Sequence, residues 1–293
     1  MNYQLYTGCV IPARLPFIES SSRKIFERLG ISTSDIKGFS CCPDPTGMPA
    51  LDETSWLAMG ARNLCIAKNN GGNVLSLCSG CTETLKTVDH MLEADSKKRE
   101  EINKILSKIG KQYVGSINIK HFAQVLYENL DKIEKEIVKP LEGFKVACHY
   151  GCHYLRPSNI IKWDDPFNPT TLDEIVKTLG AESIQYDLKM ECCGYPVEKT
   201  DEDLSRKMIE NKFDSISKTN ANCIAVVCPA CYIQHDFKQR SINQKEGTNY
   251  NFPVLYLSEL VALALGFSDK EIGLNYHSTK VKPLLEDIEF VSI

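Results

Sequence analysis

Short apolar runs punctuate the chain and end on cysteine. NYQLYTGC, NVLSLC, FKVACHYGC and CIAVVC each read as a buried strand closing on a turn. Stretches with helical apolar spacing alternate with them and predict helices over 52–70, 93–110, 119–139, 171–180, 201–220 and 256–266. Strand–helix alternation predicts an α/β fold with a small, mostly parallel sheet flanked by helices. In such sheets ligands collect beyond the carboxyl ends of the strands, where these runs carry their cysteines. The segment 93–110 is highly charged and reads as a solvated amphipathic helix with Ile102, Ile105, Leu106 and Ile109 facing inward, and 119–138 reads as a second one. The segment 256–266 is apolar enough for a core helix.

A chain of 293 residues favours two domains, and 43% hydrophobic residues suffice for a buried core. The net charge of −4 argues against a nucleic-acid partner, which selects for a basic surplus. No apolar run approaches the ~20 residues of a membrane span. The start, MNYQLYTGCV, lacks the pattern of an export signal, so a reducing, cytoplasmic compartment is expected. Thirteen cysteines are the unusual number, and an odd count cannot pair fully into disulfides within one chain. Cys65, Cys148 and Cys223 sit in unremarkable apolar surroundings and read as buried structural thiols.

The other ten cysteines fall in a repeat. The first half carries YTGC at 6–9, SCCPDP at 40–45 and LCSGC at 77–81; the second carries HYGC at 149–152, ECCGYP at 191–196 and VCPAC at 227–231. The intervening gaps are 31 and 35 residues in the first copy and 39 and 34 in the second, the longer gap coinciding with an added loop at 160–170. Basic residues follow each first cysteine, in ARLP and LRP. Helical patterns ending in Leu-Gly follow at 21–30 and 171–180, with Ile25, Phe26 and Leu29 in phase with Ile175, Val176 and Leu179. Thr171 is the expected cap of the second of these. The chain therefore reads as an internal duplication, with domains at 1–140 and 141–293 joined near KPLEGFK at 139–145.

Each copy offers five thiols, including an adjacent pair at a turn. A single tetrahedral zinc has no use for the fifth, whereas a multi-iron cluster has. Two polynuclear iron–sulfur sites are the reading these residues favour. Two zinc sites with a spare cysteine each stay open beside it.

The spacing Cys-x31–39-Cys-Cys-x35–36-Cys-x-x-Cys resembles the cysteine-rich CCG family, with a literal Cys192-Cys193-Gly194 in the second copy. Cys42 is followed by Pro43 instead, and the gap before Cys228 is one residue short. ACHYGCHYLRP at 147–157 and FPVLYLSELVALALG at 252–266 are similar to the catalytic B subunits of heterodisulfide reductases from methanogens. The resemblance implies two noncubane [4Fe-4S] clusters, one on Cys9, Cys41, Cys42, Cys78 and Cys81, the other on Cys152, Cys192, Cys193, Cys228 and Cys231. It implies reduction of the coenzyme M–coenzyme B heterodisulfide to two thiols. The implied partners are an iron–sulfur flavoprotein A subunit and a small iron–sulfur C subunit that delivers electrons singly. A hydrogenase or formate dehydrogenase would stand behind them in a larger complex.

Two facing clusters suit homolytic cleavage of a disulfide held between them. Both coenzymes are anionic, so Arg14, Arg156 and Lys199 are candidate substrate contacts. His153 and Tyr195 are candidate proton donors, with His149 a further group able to donate a proton or bond a cluster sulfur. His90, His121, His235 and His277 read as structural. The alternatives are a CCG subunit of a quinone-linked succinate, glycolate or lactate oxidoreductase, and a zinc-stabilised or electron-transfer scaffold without its own substrate.

Overall fold

The computed structural model describes residues 2–290, so the outermost residues of the two expected domains, Met1 and 291–293, lie outside it. Among the described residues, eight short strands form two four-stranded sheets. The first contains β1 (Asn2–Tyr6), β2 (Ser32–Asp35), β3 (Asn73–Ser76) and β4 (Asn118–His121) in the order β2-β1-β3-β4. The second contains β5 (Lys145–His149), β6 (Glu182–Ile184), β7 (Cys223–Val226) and β8 (Val254–Tyr256) in the matching order β6-β5-β7-β8. Every pairing is parallel. The expected duplication and the parallel α/β class are thus both present.

Several helices match their predicted spans closely: Glu53–Asn69, Thr171–Thr178, Glu202–Ser217 and the fully buried Leu257–Ala264. The Leu-Gly ends are also as expected, with Gly30 and Gly180 at φ +66° and +86°, where a side chain would be strained. Four readings need correction. The segment 93–110 is divided, because Asp95 adopts an extended backbone and its carboxylate accepts from Lys97 N and Lys98 N to start a new helix at Ser96. On that helix only Ile102 and Leu106 are buried, while Ile105 and Ile109 face solvent. The segment 119–139 begins as β4, and its helical part is two short pieces, Phe122–Tyr127 and Leu130–Glu136. Thr171 does not cap its helix. Asp164, reaching in from the added loop, accepts from Thr170 N, Thr171 N and Thr171 Oγ1 instead.

One core cluster runs through both halves, and a second, around Trp56, Leu64, Val88 and Leu92, lies within the first half. Helix Leu257–Ala264 of the second half packs on Pro16–Arg28 of the first, and Phe122–Tyr127 of the first packs on Thr171–Thr178 of the second. These are equivalent helices exchanged across a pseudo-two-fold relation. The rings of Phe122 and Tyr256 stack at this seam with centroids 5.4 Å apart. Polar ties cross it in the same mirrored way. His121, at the end of β4, has Nε2 3.1 Å from Val227 O, while the Tyr256 hydroxyl, at the end of β8, donates to Leu77 O. Each acceptor immediately precedes a candidate ligand, Cys228 or Cys78. His121, read as structural, therefore fixes one candidate site relative to the other.

Candidate metal centre

In both sheets the strand order changes direction between the first and third strands, and the crevice beyond their carboxyl ends is the expected ligand position. Cys9 and Cys78 follow β1 and β3; Cys152 and Cys228 follow β5 and β7. All ten candidate ligands line a single cleft of about 280 Å³. His153 and Tyr195 line it too, with Asp44, Thr46, Ser79 and Pro229 among its other walls.

Local backbone explains how the thiols converge. Cys78 and Cys228 are extended residues capping the helices Ser79–Ala94 and Pro229–Glu246, so Cys81 and Cys231 lie one turn further on the same face. Neither helix start carries a side-chain cap, which leaves first-turn N–H groups for sulfur. Gly8 and Gly151 have φ of +67° and +73°, and a Cβ on Gly8 would come within 2.8 Å of Cys81 Sγ. The repeated glycine before each first cysteine thus serves both the turn and the space for sulfur. The adjacent cysteine pairs are braced from the helices behind. Thr84 Oγ1 donates to Pro43 O at 2.9 Å, and at the equivalent position Gln234 Nε2 donates to Cys193 O at 3.3 Å.

Among the described residues all thirteen cysteines are free. The ten thiols interact in two mirrored rows: Cys9, Cys41, Cys42, Cys81, Cys78 and Cys152, Cys192, Cys193, Cys231, Cys228. The rows meet where Cys78 touches Cys228. Cys193 Sγ and Cys231 Sγ are 3.7 Å apart, too far for a disulfide bond and close enough to ligate one centre. Hydrogen bonds from Cys152 and Cys193 push Cys192 down to about 2, while its bond to Cys192 pushes Cys193 up to about 12. Neighbouring sulfurs share protons because ionised thiolates this close repel strongly in a buried site. Only a polycationic group lets five adjacent thiols ionise together, so the donor set fits a thiolate-bound polynuclear iron–sulfur cluster in each half. Cys65, Cys148 and Cys223 are buried away from the cleft, and burial raises all three thiols, as structural cysteines require.

The remaining candidates separate. His153 Nδ1 lies 3.8 Å from Glu83 Oε2 of the other half, and burial raises the Glu83 carboxyl. Tyr195 is half-buried; burial raises its hydroxyl, with Glu198 acting the same way and nearby Arg14 opposing. Arg14 is exposed, with its guanidinium 5.8 Å from the Phe237 ring centroid, and it does not line the cleft. Arg156 is turned outward on to Pro166 O, at 2.7 Å, and over Phe167, so it secures the added loop. Lys199 is exposed and also off the cleft. His149 is wholly buried with neither ring nitrogen hydrogen-bonded, and a nitrogen of it lies within 4.8 Å of Cys193 Sγ and Cys231 Sγ. Single-residue reading missed Glu83, Asn63 and Lys212. Each shows up only when the two copies are laid over one another: Glu83 falls where the second copy has Ile233, and Asn63 falls where it has Lys212.

Comparison with known proteins agrees with this geometry. The cysteine-rich CCG domain matches residues 3–86 and 146–236. The B subunit of the ferredoxin:CoB-CoM heterodisulfide reductase of Methanosarcina mazei is 36% identical over 292 residues, covering 98% of this chain and 95% of that one. A protein of Archaeoglobus profundus, named as similar to the heterodisulfide reductase B subunit, is 36% identical over 279 residues, covering 93% of each chain. The membrane anchor subunit of the 8-methylmenaquinol:fumarate reductase of Wolinella succinogenes is 33% identical, covering 94% of this chain and 96% of that one. A crystal structure of a hypothetical protein from Helicobacter pylori shares the fold, with a TM-score of 0.79 at 16% identity; 96% of this chain matches 52% of that one. No helix among the described residues is long and apolar enough to cross a membrane. Paired cysteine-rich repeats and near full-length likeness point the same way: the chain belongs to the CCG cysteine-rich family and is related along nearly its whole length to heterodisulfide reductase B subunits.

Proposed function

We propose that this chain is the catalytic subunit that reduces the coenzyme M–coenzyme B heterodisulfide to its two thiols. The supporting observation is that ten thiols, five from each copy of the repeat, converge on one cleft; the two domains are taken to span residues 1–140 and 141–293. The reaction consumes two electrons and two protons and breaks one S–S bond. Two noncubane [4Fe-4S] clusters, when bound, would supply one electron each for homolytic cleavage of that bond. The residues of the chain do the rest. Cys9, Cys41, Cys42, Cys78 and Cys81 hold one cluster, and Cys152, Cys192, Cys193, Cys228 and Cys231 hold the other. His153 and Tyr195 line the cleft and hold protons for the two departing sulfurs, with the Glu83 carboxylate 3.8 Å from His153 Nδ1. Arg14, beside Tyr195, attracts the anionic ends of the coenzymes; Arg156 and Lys199 act there only if the loops carrying them turn inward. Electrons reach the cytoplasmic complex through partner iron–sulfur subunits of the A and C type, fed by a hydrogenase or formate dehydrogenase.

The Wolinella relative, by its name, belongs to a menaquinol-linked fumarate reductase, which favours a quinone-linked role as the second reading. One assay separates the two. Anaerobically purified protein containing roughly eight irons per chain is mixed with a reduced viologen dye and the heterodisulfide. Dye oxidation with stoichiometric release of both thiols is the expected result. Iron-loaded protein that oxidises the dye with a menaquinone analogue and leaves the heterodisulfide intact overturns the proposal in favour of the second reading, and zinc in place of iron overturns both.

A further inference from the structure

The two candidate cluster sites are built on one cysteine pattern, yet the groups behind them differ in charge at equivalent positions. Counting from Asp52 and Asp201, which cap equivalent helices, Asn63 corresponds to Lys212. Counting from Cys81 and Cys231, Glu83 corresponds to Ile233 and Leu85 to His235. In the motif before each first ligand, Tyr6 corresponds to His149.

Around the first site these positions are neutral or acidic. Tyr6 donates its single hydroxyl proton to Ser40 O, and Asn63 Nδ2 donates to Cys41 O at 3.1 Å and to the Tyr6 oxygen at 3.3 Å. Glu83 is buried close to Cys42, and Asp44 is on the cleft wall. The cation nearby, half-buried Arg62, donates to Ser40 Oγ at 3.2 Å and to Asn63 Oδ1 at 3.4 Å, so it meets the far side of the amide that bonds Cys41 O.

Around the second site the equivalent positions carry Lys212, His149 and His235, with the apolar Ile233 in place of Glu83, and burial holds both imidazoles in the neutral form. Lys212 is wholly buried and its ammonium donates to Leu188 O; burial lowers it to about 8, while Cys193, Cys231, Glu191 and Cys152 act the other way and favour its charge. Glu191 is the acid that acts on it most, and Glu191 is exposed. His149 has both nitrogens unpartnered beside Cys193 and Cys231, with the His235 ring 4.5 Å from its own. A donor on His149 is therefore available to a ligand sulfur, whereas the donor on Tyr6 is already committed.

Resting on the two-cluster reading above, we infer that the duplicated sites are electrically unequal, with Lys212 and His149 making the second-half cluster the easier to reduce. A buried positive charge and N–H donors toward sulfur both favour the reduced form of a cluster, and a buried carboxyl near the other site opposes it. An electron entering this chain therefore rests on the Cys152–Cys231 side, and the Cys9–Cys81 side fills second.

An anaerobic redox titration followed by electron paramagnetic resonance tests this on the intact protein. The two signals are assigned with Cys41→Ser and Cys192→Ser. Two separate midpoints are expected in the unmodified chain, the higher one belonging to the second half. Lys212→Met is expected to lower that midpoint alone by about 59 mV, a tenfold change in a one-electron equilibrium, and Lys212→Arg to leave it nearly in place. A purely structural Lys212 would leave midpoints unmoved. Coincident midpoints in the unmodified chain, a higher midpoint on the first half, or an equal shift of both in Lys212→Met overturns the inference. Absence of any iron signal instead removes the two-cluster reading on which it rests.

Discussion

Cys193→Ser strips the second site of its iron, leaves the first site loaded, and abolishes heterodisulfide reduction. Cys193 lies in the middle of its row, touching Cys192 on one side and Cys231 on the other, and its side chain is buried. Serine is a harder, less acidic donor, and it breaks the row at its centre. Loss of a partner behind a metal ligand already costs about 10–100-fold, so loss of a central ligand costs more than about 100-fold in activity. Cys42→Ser is the mirror experiment, since Cys42 sits between Cys41 and Cys81 in the first row. Iron analysis of each variant should give about half the iron of the unmodified chain, and neither should turn over. Full iron content in either variant, or activity within a few-fold of normal, contradicts the ligand assignment. Because the ligands come from three loops of each half, loss of a cluster also weakens the half that holds it.

His277→Ala destabilises the whole chain by about 3–5 kcal/mol, the cost of leaving one member of a buried ion pair unmatched. His277 Nε2 and Glu259 Oε1 are 2.8 Å apart, and both side chains are fully buried. The other oxygen of Glu259 accepts from Tyr256 N and closes the start of the helix Leu257–Ala264. Tyr256 in turn reaches Leu77 O beside Cys78, so the pair supports the seam between the two sites. The expected drop in melting temperature is roughly 10 °C. Its pH dependence has a definite sign. Burial works against the charged imidazole, but the charge and hydrogen bond of Glu259, with help from Asp236, outweigh it and raise His277 above its ordinary value. A raised histidine contributes fully below its unfolded value of about 6.5 and loses that contribution as pH climbs through the higher folded value. Denaturant titrations should therefore show a gap between unmodified and variant chains that is wide at pH 6 and narrows at higher pH. A gap that widens with pH contradicts the ion pair.

What the sequence reveals follows from how each feature is encoded. The ligand loops are legible because chemistry forces cysteine at fixed places, and duplication repeats the pattern in Cys9–Cys81 and Cys152–Cys231. Strands β1, β3, β5 and β7 are legible because each runs into such a cysteine within two or three residues of its end. The edge strands are not: STSD in β2 has no apolar alternation, and NIKH in β4 runs straight into the helical pattern FAQVLY, so His121 looks like helix interior. Arg156 follows its cysteine much as Arg14 does, and no local signal says that the added loop will capture it through Pro166 O. Glu83 and Lys212 occupy unremarkable helical positions. Their meaning lies in their counterparts, Ile233 and Asn63, and becomes visible only when helix caps set the register between copies. Tertiary contact across the seam, such as Tyr256 to Leu77, leaves no trace in either segment alone.

Anomalous scattering at the iron absorption edge, from crystals of protein kept free of oxygen, tests the central claim most directly. Two compact groups of several iron atoms should appear on opposite walls of the one cleft, the first against Cys9, Cys41, Cys42, Cys78 and Cys81, the second against Cys152, Cys192, Cys193, Cys228 and Cys231. A lone metal ion in each half, or iron in one half with an intact but empty thiol row in the other, would contradict it.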